Sequence, residues 1–138
     1  MKSIEEQLIL HEGLRKKPYR CTAGKLTIGV GRNLDDKGIS ELEALYLLWN
    51  DMKDVMDALD RYAWYRQLDP VRQKVMIDMA YNLGMAGLLK FRKMIAALEL
   101  GDYQAAADQM LDSRWARQVK TRADRLAEMM RTGEDYVD

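Results

Sequence analysis

Along the first twelve residues, Ile4, Leu8 and His11 recur at the spacing of one helix face, and Ser3 followed three residues later by Glu6 forms a capping box. A helix over about 4–12 is predicted, ended by Gly13. The period then changes. Leu26, Ile28 and Val30 alternate as a strand does, while Pro18, Gly24, Gly29 and Gly31 break any helix through the segment. A hairpin of roughly 18–22 and 25–31, turning at Ala23-Gly24, is expected. Helical period returns after a second capping box, Ser40 with Glu43. From there Leu42, Leu45, Tyr46, Trp49, Met52, Val55, Met56 and Leu59 keep one stripe for about 20 residues. Asp69-Pro70 then supplies a cap and a first-position proline before VRQKVMIDMAYNLG, which stops at Gly84. Further helices are expected near 86–99, 103–111 and 119–131.

These elements predict an α+β fold, mainly α. A small N-terminal lobe with a β-hairpin, about 1–38, is joined by a long helix, about 39–62, to a helical lobe, about 63–138, all within one domain. Trp49, Trp64 and Trp115 are read as core anchors and His11 as structural.

Composition narrows the function classes. At 138 residues, 48% hydrophobic and 32% charged, the chain is long enough for one domain with a real core. Equal numbers of basic and acidic residues, 22 of each, give no overall field toward nucleic acid or membrane. Charge is nevertheless segregated. Residues 1–34 hold seven basic against three acidic side chains, residues 35–60 eight acidic against two basic, and residues 114–131 six basic against two acidic. The two basic ends are either a face for an anionic polymer or ordinary solvated surface. A single cysteine excludes an internal disulfide. No apolar run approaches the roughly 20 residues that span a bilayer, and the acidic, amphipathic start is unlike a signal peptide. A soluble monomer, cytoplasmic when made and not inserted in a membrane, is therefore expected. No metal-ligand spacing, phosphate loop or Ser-His-Asp arrangement appears, so neither metal nor cofactor is expected.

The candidate chemistry lies in HEGLRKKPYRCTAGKLTIGVGRNL, where the first helix gives way to the hairpin. Glycoside hydrolysis needs a carboxylic acid to protonate the leaving oxygen, and a second group on the opposite face that activates water or attacks the sugar. Glu12, at a helix C-terminus whose dipole disfavours negative charge, suits the acid. A lone glutamate at a helix end is ordinarily solvated surface, so only its surroundings make it a candidate.

In those surroundings, Glu12 is followed after eight residues by Cys21 and after five more by Thr27. This order, with the flanking EGLR, the tyrosine two residues before Cys21, and TIGVG, resembles the Glu, Asp/Cys, Thr motif of the phage-type lysozymes, glycoside hydrolases of the T-even kind. Downstream, MAYNLG is similar to that family's cleft helix and SRWARQVKTRADRLAEMMRTG to its carboxy-terminal signature, so nearly the whole chain is covered. The region between Arg32 and Ile39 is shorter than in the T-even enzyme, and a cysteine stands at the position usually held by aspartate.

The resemblance implies a lysozyme-like fold and, residue by residue, Glu12 as general acid, Cys21 as the second catalytic position and Thr27 as the hydroxyl that positions water. It implies that Arg122 matches the arginine pairing with the catalytic glutamate, that Tyr81, Asn82 and Arg114 line the cleft, and that Arg32 falls where the family often has histidine. Cys21 remains open between base, covalent nucleophile and a spacer beside a water held by Thr27. A free thiol near pKa 8.5 is only a few per cent ionised at pH 7, and Lys17, Arg20 and Lys25 lie close in sequence to favour the thiolate.

The implied activity is that of a muramidase cutting the β-1,4 bond between N-acetylmuramic acid and N-acetylglucosamine in peptidoglycan. The expected role is that of an endolysin, waiting in the host cytoplasm until a separate membrane pore opens the way to the wall. A lytic transglycosylase on the same substrate, or a lysozyme homologue that binds glycan without cutting it, are the alternatives.

Overall fold

The computed structural model describes residues 2–137. In chain order its elements are α1 (Ile4–Glu12), β1 (Arg15–Arg20), β2 (Leu26–Gly29), β3 (Arg32–Asn33), α2 (Glu41–Leu59), α3 (Ala63–Arg66), α4 (Pro70–Leu89), α5 (Arg92–Glu99), α6 (Tyr103–Leu111), α7 (Arg114–Val119) and α8 (Thr121–Thr132). The chain is mainly helical with one small antiparallel sheet, the α+β class that the sequence pattern predicts. Its contacts divide it into two units, Met1–Leu47 and Leu48–Asp138, with the boundary inside α2.

In the first unit the local signals act as expected. Ser3 Oγ accepts from Glu6 N at 3.0 Å, and Gly13, at φ 80°, closes α1 by donating its N–H to the Ile9 carbonyl. Ser40 and Glu43 make the reciprocal box at the start of α2: Glu43 N reaches Ser40 Oγ at 3.1 Å, and Ser40 N reaches Glu43 Oε1 at 2.9 Å. The sheet differs from the expected hairpin. It has three strands in the order β1-β2-β3, because β2 stops at Gly29 and the chain reverses through Val30 to pair Ile28 with Arg32. Gly29 and Gly31, at φ 69° and 68°, permit that reversal where residues with a Cβ would be strained. The β1–β2 register shifts between Arg15 and Tyr19, a stretch containing Pro18, which has no N–H to give the ladder. The amphipathic reading of α1 is not matched by burial, since none of its residues is buried. Among the described residues of this unit only Thr27, 3% exposed, is buried.

The second unit holds the apolar core. Leu59, Val75, Met76, Met79, Leu88, Met94, Met110 and Met130 are its large side chains with almost no exposure. Flexible, unbranched methionine dominates, so irregular gaps between short helices are filled without a rigid interlock. Trp64 and Trp115 are buried there, as expected of core anchors. Trp49 is not: it is 52% exposed, because α2 fully buries only Leu59, with Met52 and Val55 half-buried and the remainder of its stripe open.

The helix punctuation is partly as read. Asp69 caps α4 by accepting from Arg72 N, and Pro70 follows it. Gly84, at φ 77°, breaks α4 where a stop is predicted, after which helical turns resume to Leu89. The helix expected over 86–99 is divided at Lys90-Phe91, where Phe91 takes ψ 61° ahead of α5. The one expected over 119–131 is preceded by α7 and separated from it by Lys120, at φ 49° and ψ −106°. The single turn α3 is an addition, fixed by burial of Trp64 and Tyr65.

One side chain ties the start of α4 to the end of α8. Arg72 donates through Nε to the Met130 carbonyl at 2.6 Å and through Nη2 to the Arg131 carbonyl at 3.1 Å. Its Nη1 meets Asp69 Oδ1 at 3.0 Å, and its guanidinium lies 3.7 Å from the centre of the Tyr103 ring. Gly133, the left-handed cap of α8 at φ 72°, is backed directly against it.

Candidate active site

Glu12 is the last residue of α1, and Gly13 turns the chain away immediately after it. Its carboxylate rests on the β2–β3 turn: a Cβ on Gly31 would lie 2.6 Å from Glu12 Oε2 and 3.2 Å from its Cδ. The exposed carboxyl group thus lies against the glycine turn, and at φ 68° position 31 favours glycine.

Cys21 and Thr27 meet at one backbone group. Cys21 N and Thr27 Oγ1 both donate to the carbonyl of Lys25, at 3.0 and 2.8 Å, and Gly24 N returns to the Cys21 carbonyl at 2.8 Å. The hairpin turn is thus closed around the two candidate residues. The thiol of Cys21 is half-buried, and its pKa is lowered from the ordinary value chiefly by the Lys25 backbone N–H and next by that of Ala23, while burial opposes. The Thr27 hydroxyl lowers it further. A hydroxyl has one proton, so Thr27 donates to the Lys25 carbonyl or to the sulfur at any instant. The backbone amides are the larger cause, and the direction holds in either case.

Arg32, on β3, makes a two-pronged pair with Glu43: Nη1 to Oε1 and Nη2 to Oε2, both at 2.8 Å, with a further bond from Nη1 to the Gly38 carbonyl. Glu43 also belongs to the Ser40 capping box. Arg32 first, and then the Ser40 backbone and hydroxyl, hold its carboxyl at about 2. Arg32 therefore joins the sheet to the start of α2.

The remaining predicted residues lie in the second unit and fall into two groups. Tyr81 and Arg122 line one hollow of about 270 Å³ together with Lys74 and Asp78. Arg122 donates through Nε and Nη2 to the same oxygen, Asp78 Oδ1, at 2.8 and 2.6 Å. In the other group, Asn82 Oδ1 accepts the indole N–H of Trp115 at 2.7 Å, and Arg114 is the first residue of α7, next to Trp115 in sequence. Ser113 caps that helix by accepting from Ala116 N and donating to the Met110 carbonyl.

Two contributors escape the sequence reading. Gly31 shows its role only through the approach of Glu12. Asp78 precedes Tyr81 and Asn82 by three and four residues on α4, so its place on their helix face was available as a signal. Among the described residues, no group of acidic, histidine or cysteine side chains is arranged to hold a metal. No helix among them is long and apolar enough to cross a membrane.

Comparison with known proteins adds an independent observation. The family model for phage lysozyme matches residues 10–131, a span that includes every candidate residue above. The pre-baseplate central spike protein of Enterobacteria phage T4 is 27% identical over 95% of this chain, and the SAR-endolysin of Escherichia phage Mu is 32% identical over 81% of it. A probable T4-type lysozyme of Dictyostelium discoideum is 25% identical over 95% of both chains. This chain spans 28% of the spike protein's length and 66% of the Mu protein's.

Proposed function

Because the chain belongs to the phage lysozyme family, and so to the glycoside hydrolases, we propose that it is a muramidase. Its substrate is peptidoglycan, and the bond cut is the β-1,4 link between N-acetylmuramic acid and N-acetylglucosamine. The observation that carries this reading is the seat of Glu12: a carboxyl group at a helix end, held against a glycine turn whose strand also bears Thr27.

Glu12 acts as general acid, giving its proton to the glycosidic oxygen as the bond breaks. On the other side of the reaction stand Cys21 and Thr27, bound to the same carbonyl. Thr27 holds the attacking water. The amides that surround the Cys21 sulfur favour its thiolate, which supports a base or nucleophile over an inert spacer. Arg122, Tyr81, Asn82 and Arg114 serve as supporting residues, assigned through the family resemblance. The protein works as a monomer and as an endolysin, kept in the host cytoplasm until a separate pore gives it the cell wall.

The test is Glu12→Gln, which keeps the shape and removes the acid. Turbidity of outer-membrane-stripped cells should clear at least about a hundredfold more slowly than with the parent protein, at an unchanged circular dichroism spectrum. Substantial residual lysis would overturn the assignment. Mass spectrometry of the products should find reducing ends; anhydro ends would identify a lytic transglycosylase instead.

A further inference from the structure

The second unit carries a groove of about 580 Å³, of whose lining the reading above uses only Arg114. Four basic side chains line it, Lys90, Arg92, Lys93 and Arg114, against one acid, Asp112. All four are exposed, and none of them makes an ion pair with a described residue. In a chain with no net charge this is a local excess of three positive charges. It is reinforced by position. Arg92 and Lys93 occupy the first turn of α5, which contains no acidic residue, so two cations sit at the positive end of a helix dipole. Cations there work against the free helix, and a local rule broken without compensation inside the fold points to a ligand that supplies it.

The groove wall defines the rest of the ligand. The partly exposed Phe91 meets the buried Trp115 edge to face, with ring centres 6.1 Å apart, and Gln109 and Gln118 line the same groove. Aromatic surface with flanking amides suits the apolar face and the hydroxyls of a sugar. Clustered, unpaired arginine and lysine suit a phosphate monoester, which brings nearly two negative charges per group where a carboxylate brings one.

We propose that this groove binds a phosphate-bearing saccharide polymer of the cell envelope, holding the protein near its substrate through a contact separate from the bond it cuts. Lys90, Arg92 and Lys93 supply the charge, and the partly exposed Phe91, backed by the buried Trp115, carries the sugar.

The probe is the delipidated, phosphate-bearing core oligosaccharide of a Gram-negative outer membrane, before and after phosphatase treatment, titrated calorimetrically into the whole protein. Because this probe contains no peptidoglycan bond, its binding is read independently of any muramidase activity. The phosphorylated probe should bind at least about tenfold more tightly than the dephosphorylated one, and its affinity should fall as salt rises. The triple variant Lys90→Gln, Arg92→Gln, Lys93→Gln replaces exposed side chains only. It should lose that preference while clearing soluble, peptide-free glycan at the parental rate. Equal binding of the two probes, or a variant that binds as the parent does, would overturn the proposal. So would tighter, variant-sensitive binding of muropeptides with free carboxylates, which would give the groove to the peptide branches of the wall.

Discussion

Replacing Arg72 should destabilise the second unit more than any other single change to an ion-paired residue. Its side chain is 13% exposed and meets four partners: two carbonyls at the end of α8, the carboxylate of Asp69 and the face of Tyr103. Charge-assisted bonds to carbonyls are each worth about 1.5–3 kcal/mol when the partner would otherwise be left unsatisfied. A partly desolvated cation over an aromatic ring adds about 1 kcal/mol, and the half-open pair with Asp69 less than about 1. These contributions overlap, so Arg72→Met, which keeps the aliphatic stem, should cost about 3 kcal/mol. Arg72→Lys keeps the charge and loses the planar fork, so it should recover less than half of that. Gly133→Ala supplies a cross-check, since its Cβ would lie 2.8 Å from Arg72 Nη1 and its φ of 72° is strained for alanine. Alone it should cost about 2 kcal/mol, but only the strain of about 1 should remain in the Arg72→Met background. Urea unfolding followed by tryptophan fluorescence measures all four proteins. A loss under about 1 kcal/mol for Arg72→Met, or strict additivity with Gly133→Ala, would refute the reasoning.

Three further outcomes follow from the first unit. Gly31→Ala should lower lytic activity at least about tenfold, through the clash with Glu12, and a parental rate would show that the carboxylate is not seated there. Glu43 is held at about 2, below its unfolded value, so its contribution to stability is present above pH 5 and lost as pH falls toward 2. Acid titration followed by circular dichroism should show that slope, and Glu43→Gln should flatten it. Cys21, whose pKa is lowered, should react with iodoacetamide at neutral pH faster than a free thiol, with a rate profile whose midpoint lies below that of a free thiol measured alongside it. Complete modification with activity intact would remove the thiol from the mechanism.

How much of this was legible in the sequence depends on the range of the interaction that encodes it. Capping boxes at Ser3 and Ser40, and the Asp69-Pro70 start, are local chemistry, and α1, α2 and α4 begin where they predict. The breaks at Lys90-Phe91 and Lys120 lack glycine or proline, so only packing reveals them. Trp49 sits on a sound helical stripe, but periodicity describes a face without saying whether anything covers it. In the site, Glu12, Cys21 and Thr27 were singled out by the resemblance of their spacing and flanking motifs to those of the phage-type lysozymes. The partners that give them their settings, Gly31 for the acid and the Lys25 carbonyl for the other two, are backbone features with no side-chain signature. Arg122 was matched, through the resemblance, to the arginine that pairs with the catalytic glutamate; within its own unit its carboxylate partner is Asp78.

The uneven burial of the chain has a kinetic side. Among the described residues every buried apolar one lies at Leu59 or beyond, so opening Met1–Leu47 exposes little new hydrocarbon, whereas opening the methionine-rich unit exposes nearly all of it. Amide hydrogen exchange should therefore be biphasic. The sheet and α1 should exchange through frequent, denaturant-insensitive openings, and α4, α6 and α8 only through rare events with the steep denaturant dependence of global unfolding. The proposed acid and its hairpin would then be the part of the molecule that samples non-native states most often, while the helices of the second unit outlast those openings.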